Sequence, residues 1–211
     1  MRKIYQKAII MLSVACMGYA TPAFAADAIV KTNKAWLSGA THIYGRMTVS
    51  GITSSNIKEK GFCYSSVNQM PTVEDGTSKI YLSNQGEIYN ISQLKPATVY
   101  YIRAYVKKTN GDVVYGDPVK AITRPKGGVT YNINDGFPSD ALTRVLSAAK
   151  EAIDLWNEYT GIHGLHITIN YGAQTQTADC SYGGWMRIGP NASYQKTGTL
   201  LHEMLHAIGV G

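Results

Sequence analysis

Between residues 124 and 128 the hydrophobic pattern changes period, and that change limits the fold to two unlike modules in series. Upstream, from Ala28 to about Thr123, apolar residues come in short runs separated by turn residues. Val99 to Val106 is rich in aromatic and β-branched residues, and Asn110-Gly111 supplies a tight hairpin turn into Val113-Val114-Tyr115. Similar runs lie at Ala35–Ile43, Gly61–Ser65 and Glu87–Ile91, a spacing that predicts a β-sandwich. At the change itself, Pro125 removes a backbone donor, and Gly127-Gly128 is expected to loosen the chain into a linker.

Downstream the period is helical. Val129–Ile133 reads as a strand. After Pro138, Ser139 stands as a candidate N-cap with Asp140 near the positive end of the helix dipole. Leu142, Val145, Leu146, Ala149, Ile153 and Trp156 then fall on one face of a helix over 139–160. Leu165 to Tyr171 alternates like a half-buried strand, Trp185 to Ile188 is a further strand, and a second helix starts near Thr197. The second module is therefore α/β or α+β.

The N-terminus stands outside both modules. Arg2, Lys3 and Lys7 precede an apolar run from Ala8 to Ala15, and Ala23-Phe24-Ala25 has the small-residue pattern of a cleavage site. This layout predicts a secretory signal peptide over 1–25, cut after Ala25, with lipidation at Cys16 as the alternative. The apolar run is far short of the roughly 20 residues that span a bilayer, so no transmembrane segment is expected after cleavage. The expected location is secreted, periplasmic or at the cell surface. The formal charge of +6 loses three cations with that segment, and the rest carries no Lys/Arg stripe, so a nucleic-acid partner is not indicated. Of three cysteines, Cys16 leaves with the leader, and nothing requires Cys63 and Cys180 to pair. With 45% hydrophobic and 16% charged residues, the remainder is rich enough in apolar side chains to build a core.

The chemistry sits at the end of the chain. His202-Glu203-Met204-Leu205-His206 places two imidazoles four residues apart, on one face of the second helix. Two imidazoles so placed can hold one Zn²⁺, and Glu203 is set to act as general base toward a water on the metal. Leu201, Met204, Leu205 and Ile208 supply an apolar face for packing that helix. His163 and His166 fit a strand's polar face better than a ligand set, His42 lies in the other module, and Asp179 and Tyr182 lie in an expected loop.

Two resemblances follow from these residues. Leu94-x-Pro96-x-Thr98-x-Tyr100, with Tyr101 to Tyr105 and Asn110-Gly111 after it, resembles bacterial fibronectin type III-like modules, whose buried tyrosine bonds back to upstream backbone. His202-Glu203-x-x-His206-x-x-Gly209 resembles the front half of the metzincin zinc-peptidase signature. That resemblance implies His202 and His206 as zinc ligands, Glu203 as the base, and Gly209 as the turn bringing a third histidine to the metal. It also implies an edge strand pairing with extended substrate, for which Trp185–Gly189 or a neighbouring segment is the candidate. Gly211 ends the sequence one residue before the third histidine's place, so the chain is expected to be part of a longer protein, inactive alone for want of a third ligand.

The expected organisation is thus multi-domain: signal peptide 1–25, fibronectin type III-like sandwich 26–123, linker 124–128, and an incomplete α/β (α+β) zincin-type domain over 129–211. The expected function is a secreted zinc metalloendopeptidase acting on a protein or peptide substrate. The alternative is a non-catalytic extracellular binding or adhesion protein with a degenerate peptidase module. Oligomeric state is not readable from these residues.

Overall fold

A computed structural model describes residues 27–75, 78–80 and 88–211; the leader and Cys16 lie outside them. The first module contains β1 (Ile29–Ser38), β2 (Ile43–Ser50), β3 (Ile57–Ser65), β4 (Ser78–Ile80), β5 (Ile88–Ile91), β6 (Val99–Lys108), β7 (Val113–Tyr115) and β8 (Val119–Ile122). One sheet runs β1-β2-β5 and the other β4-β3-β6-β7, with β8 pairing to the other end of β6. Every pairing is antiparallel. Alternate residues of both sheets, among them Ile43, Phe62, Ile91, Ile102 and Val106, close one core. The run at Ala35–Ile43 is the end of β1, a turn and the start of β2, because Gly39 and Ala40 interrupt the pairing.

The tyrosine corner is present. Tyr100 is buried at the start of β6, and its hydroxyl oxygen accepts from the Lys95 backbone N–H at 2.9 Å. Leu94 is buried beneath it, and Ala97 takes the left-handed φ of +49° that turns the chain into the strand. Strand order and corner together make this module a fibronectin type III-like sandwich. Tyr100→Phe strands the Lys95 N–H and is expected to cost about 1 kcal/mol, measured by urea unfolding.

The second module contains β9 (Gly128–Ile133), α1 (Ser139–Tyr159), β10 (His163–Tyr171), β11 (Ala178–Cys180), β12 (Trp185–Ile188) and α2 (Thr197–Ala207). The sheet order is β11-β12-β10-β9; β9, β10 and β12 are parallel and β11 runs against them at the edge. Val129, Ile167, Ile169, Met186 and Ile188 face the buried sides of both helices. Four expectations are corrected here. Pro138, not Ser139, is the N-cap of α1, so the Ser139 hydroxyl lies one place too far in to cap it. The buried stripe of α1 is Ala141, Val145, Ala148, Ala149, Ala152, Ile153 and Trp156, while Leu146 is exposed. Small alanines bring the helix close to the core and rotate Leu146 out. Trp185–Ile188 is an interior strand; the edge is Ala178–Cys180, so Asp179 lies in a strand and not in a loop.

The segment 124–128 is pinned, contrary to the looseness its glycines suggest. Arg124 donates from its backbone N–H to Gly39 O at 2.8 Å and from Nε to Ser38 O at 3.0 Å. Gly127 N–H donates to Asn157 O, and the Asn157 side chain bonds both polar backbone groups of Val129. Glycine serves close approach at 127: a Cβ there would meet Asn157 Oδ1 at 2.9 Å. Among the described residues no helix is long and apolar enough to cross a membrane.

Candidate metal centre

Helix α2 is set by its buried side, where Leu200, Met204 and Ala207 enter the core. The face expected from the sequence is rotated: Leu205 and Ile208 are exposed, and Glu203 is buried in their stead. The helix start is anchored to α1 twice. Thr197 donates its hydroxyl to Glu151 Oε2 at 2.6 Å. Gln195, itself buried, accepts from Arg144 Nε at 2.8 Å and donates to Gly189 O at 2.9 Å.

His202, His206 and Glu203 project within an arc of about 100° on this helix. The two imidazole centroids are 5.0 Å apart with their planes at 88°. Neither ring has a hydrogen-bond partner among the described residues, and neither does the Glu203 carboxylate, which is only 7% exposed. Burial pushes the Glu203 carboxyl above its ordinary value; the flanking imidazoles oppose the rise and Asp179 adds to it. Such a carboxylate, buried yet unpaired, suits a group that exchanges protons with a bound water.

The helix ends in a Schellman motif. Gly209 has φ +83°, its N–H donates to His206 O at 3.0 Å, and Val210 N–H donates to Leu205 O at 3.0 Å. The chain then returns over His206, where a Cβ on Gly211 would lie 2.7 Å from the ring's Cε1. Gly209→Ala is expected to cost about 1 kcal/mol through the positive φ alone, since the added Cβ meets nothing closer than Tyr182 at 3.6 Å. Urea unfolding measures it.

The remaining histidines lie away from this pair. His42 lies between the modules, 2.7 Å from Glu158. His166 bonds Thr130 and Asn132 on the open side of the sheet, and His163 sits exposed at the start of β10. Asp179 is paired with Arg187, its Oδ1 accepting from Nε at 2.9 Å, and Tyr182 is 83% exposed. Among the described residues no third histidine, cysteine or carboxylate joins the pair. The donor chemistry of His202 and His206 fits zinc as far as two ligands go.

A cleft of about 440 Å³ opens beside His202 and Glu203, lined further by Thr177, Tyr194, Lys196, Gly198 and Thr199. Sequence reasoning missed these residues: Thr177 comes from the approach to the edge strand, Tyr194 and Lys196 from the segment before α2, and Gly198 and Thr199 from the first turn of α2, one helical turn before His202 and Glu203. Both cysteines among the described residues, Cys63 and Cys180, are free. Burial raises Cys63 to about 12 and Cys180 to about 11, with Glu203 and Asp179 adding to the latter. Thiols held protonated in this way are poor nucleophiles near neutral pH.

No protein-family model matches the chain, and no curated protein matches it. Among solved structures, it is similar to the 6th fibronectin type III domain of human fibronectin type III domain containing protein 3. There the identity is 21%, 52% of this chain and 88% of that chain are covered, and the TM-score is 0.33. It is also similar to the fn3 domain of human contactin 1, at 17% identity, 55% and 96% coverage and a TM-score of 0.34. At these values the likeness adds nothing to what strand order and tyrosine corner already establish.

Proposed function

We propose that the second module is the zinc-binding part of a metzincin-like metalloendopeptidase, with His202 and His206 as ligands and Glu203 as general base. The observation that carries this reading is the buried Glu203 carboxylate, without a hydrogen-bond partner among the described residues, beside two imidazoles that contact each other on one side of the helix. When bound, zinc supplies polarisation of the scissile carbonyl and acidifies water. The chain's own residues do the rest. His202 and His206 would hold the metal. Glu203 takes the proton of the attacking water and returns it to the leaving amine. The antiparallel edge strand Ala178–Cys180, rather than Trp185–Ile188, offers free backbone groups to an extended peptide. Gly209 turns the chain so that Gly211 lies against the His206 ring, which supports a turning role for this glycine.

The test is zinc binding followed by proteolysis. Titration of the metal-free chain with Zn²⁺ should give one site, abolished in His202→Ala and in His206→Ala. Cleavage of casein that depends on zinc and is sensitive to chelator should accompany that binding. Zinc uptake unaffected by either substitution would sink the ligand assignment. Zinc bound through both histidines, without cleavage of casein or of a random peptide library, would favour the second reading, a non-catalytic binding module. That reading is favoured by the missing third ligand among the described residues.

A further inference from the structure

The sheet of the second module has a face that the helices leave open, and its composition is unusual for strands. Cross-strand register aligns Asn132, Thr168 and Trp185 in one row over β9, β10 and β12, and Asn170, Arg187 and Asp179 in the next over β10, β12 and β11. The residues between them, Ile167, Ile169, Met186 and Ile188, are the ones buried against α1 and α2, so these rows point the other way. Asparagine is disfavoured in strands, and a half-exposed tryptophan leaves a large apolar surface in water. Trp185 is 49% exposed. Local choices that oppose the fold in this way mark places kept for a ligand.

We infer that this open face is a binding platform for a neutral polysaccharide. Charge decides the class. The face's carboxylate and guanidinium, Asp179 and Arg187, neutralise each other in a direct ion pair. Nothing there draws a phosphate backbone or an acidic or basic protein surface. The polar groups are amides, hydroxyls and one imidazole, and they are already fixed in place. His166 donates from Nε2 to Asn132 Oδ1 at 2.8 Å and meets the Thr130 hydroxyl through Nδ1 at 2.8 Å. Thr168 donates to the same Asn132 oxygen at 3.2 Å, and Asn170 donates to Met186 O at 3.0 Å. Side chains ordered before binding lose little entropy when a ligand arrives. Trp185 is steadied by the Arg187 guanidinium, 5.4 Å from its ring centroid. A fixed flat aromatic among neutral donors and acceptors complements a sugar ring, which has an apolar C–H face and a rim of hydroxyls. A protein partner would call for an apolar cluster around the aromatic anchor, and these rows are polar. The platform lies on the side of the sheet opposite α2, so it leaves the cleft at Glu203 free and does not rest on the peptidase reading.

Affinity electrophoresis of the whole chain tests this, in native gels containing galactomannan, hydroxyethylcellulose, soluble starch or laminarin, with polygalacturonate as the charged control. At least one neutral polymer should retard the protein and polygalacturonate should not. Trp185→Ala should weaken that retardation about tenfold, the worth of one aromatic contact. Tyr182→Ala removes a still more exposed aromatic that lies outside the rows and should leave it unchanged. Thermal melting of both variants separates lost binding from lost fold, and Asn132→Ser, a smaller change in the same row, gives a second reading of the platform. The inference is overturned by no retardation in any neutral gel, by retardation in polygalacturonate alone, or by equal losses in Trp185→Ala and Tyr182→Ala. Self-association that Trp185→Ala abolishes, without retardation by any polymer, would also overturn it and assign the face to a second copy of the chain.

Discussion

Glu203→Gln should do two opposite things: lower peptide hydrolysis by about a thousandfold with zinc still bound, and stabilise the metal-free protein. The first effect follows from the role proposed for the carboxylate. Glutamine keeps the size and the buried position but cannot accept the proton of an attacking water, while His202 and His206 are untouched. The second follows from burial alone. Glu203 is 7% exposed and has no hydrogen-bond partner among the described residues. An ionised carboxylate in that position costs the fold, and a neutral amide costs less, so unfolding in the presence of chelator should require about 1 kcal/mol more. A functional group that works against stability is what distinguishes a site from a structural contact. If Glu203→Gln destabilises the metal-free chain, the carboxylate is holding structure and the base assignment fails. Zinc content measured on the same samples separates loss of the base from loss of the metal.

Where sequence and structure agree, the information was local. The period-2 run into β6, the Asn110-Gly111 turn and the Leu94-to-Tyr100 pattern each act over a few residues, and the sandwich follows from them. The four-residue spacing of His202 and His206 is likewise a property of one helix. What escaped the sequence depends on tertiary rotation and sheet order. Leu205 and Ile208 look like core residues because they fall in the right period, yet α2 turns Glu203 inward and leaves both in solvent. The three-residue strand Ala178–Cys180 is too short to show alternation, so the sequence leaves the edge open between Trp185–Gly189 and a neighbouring segment. The stiffness of the 124–128 segment was hidden for the same reason. Glycines there signal freedom locally, but Asn157 and Ser38, distant in sequence, supply the partners that remove it.

That stiffness has its centre at Glu158, and Glu158→Ala should cost about 3 kcal/mol and separate the unfolding of the two modules. The turn between β1 and β2 lies against the C-terminal end of α1. Glu158 Oε1 accepts from the Thr41 backbone N–H at 2.6 Å, and the Thr41 hydroxyl lies 3.0 Å from both carboxylate oxygens. His42 Nδ1 is 2.7 Å from the same Oε1, so it carries the proton, and its Nε2 lies 2.8 Å from the Tyr159 hydroxyl. His42 and Glu158 are 13% and 17% exposed, enough burial for a lost partner to be felt. Gly39 is part of the fit, since a Cβ there would stand 2.5 Å from Glu158 Oε1. Removing the carboxylate leaves a backbone N–H, a hydroxyl and the Nδ1 of His42 without their acceptor at once, whereas Glu158→Gln keeps an acceptor for Thr41 and should cost less. With the clasp intact, urea unfolding followed by tryptophan fluorescence and by circular dichroism should give one coincident transition. In Glu158→Ala the two probes should part, because the sandwich retains its own core and the second module loses the brace on α1. Coincident transitions at an unchanged midpoint would mean that the modules fold independently of this contact, and the sandwich would then be a tether rather than a fixed support of the second module.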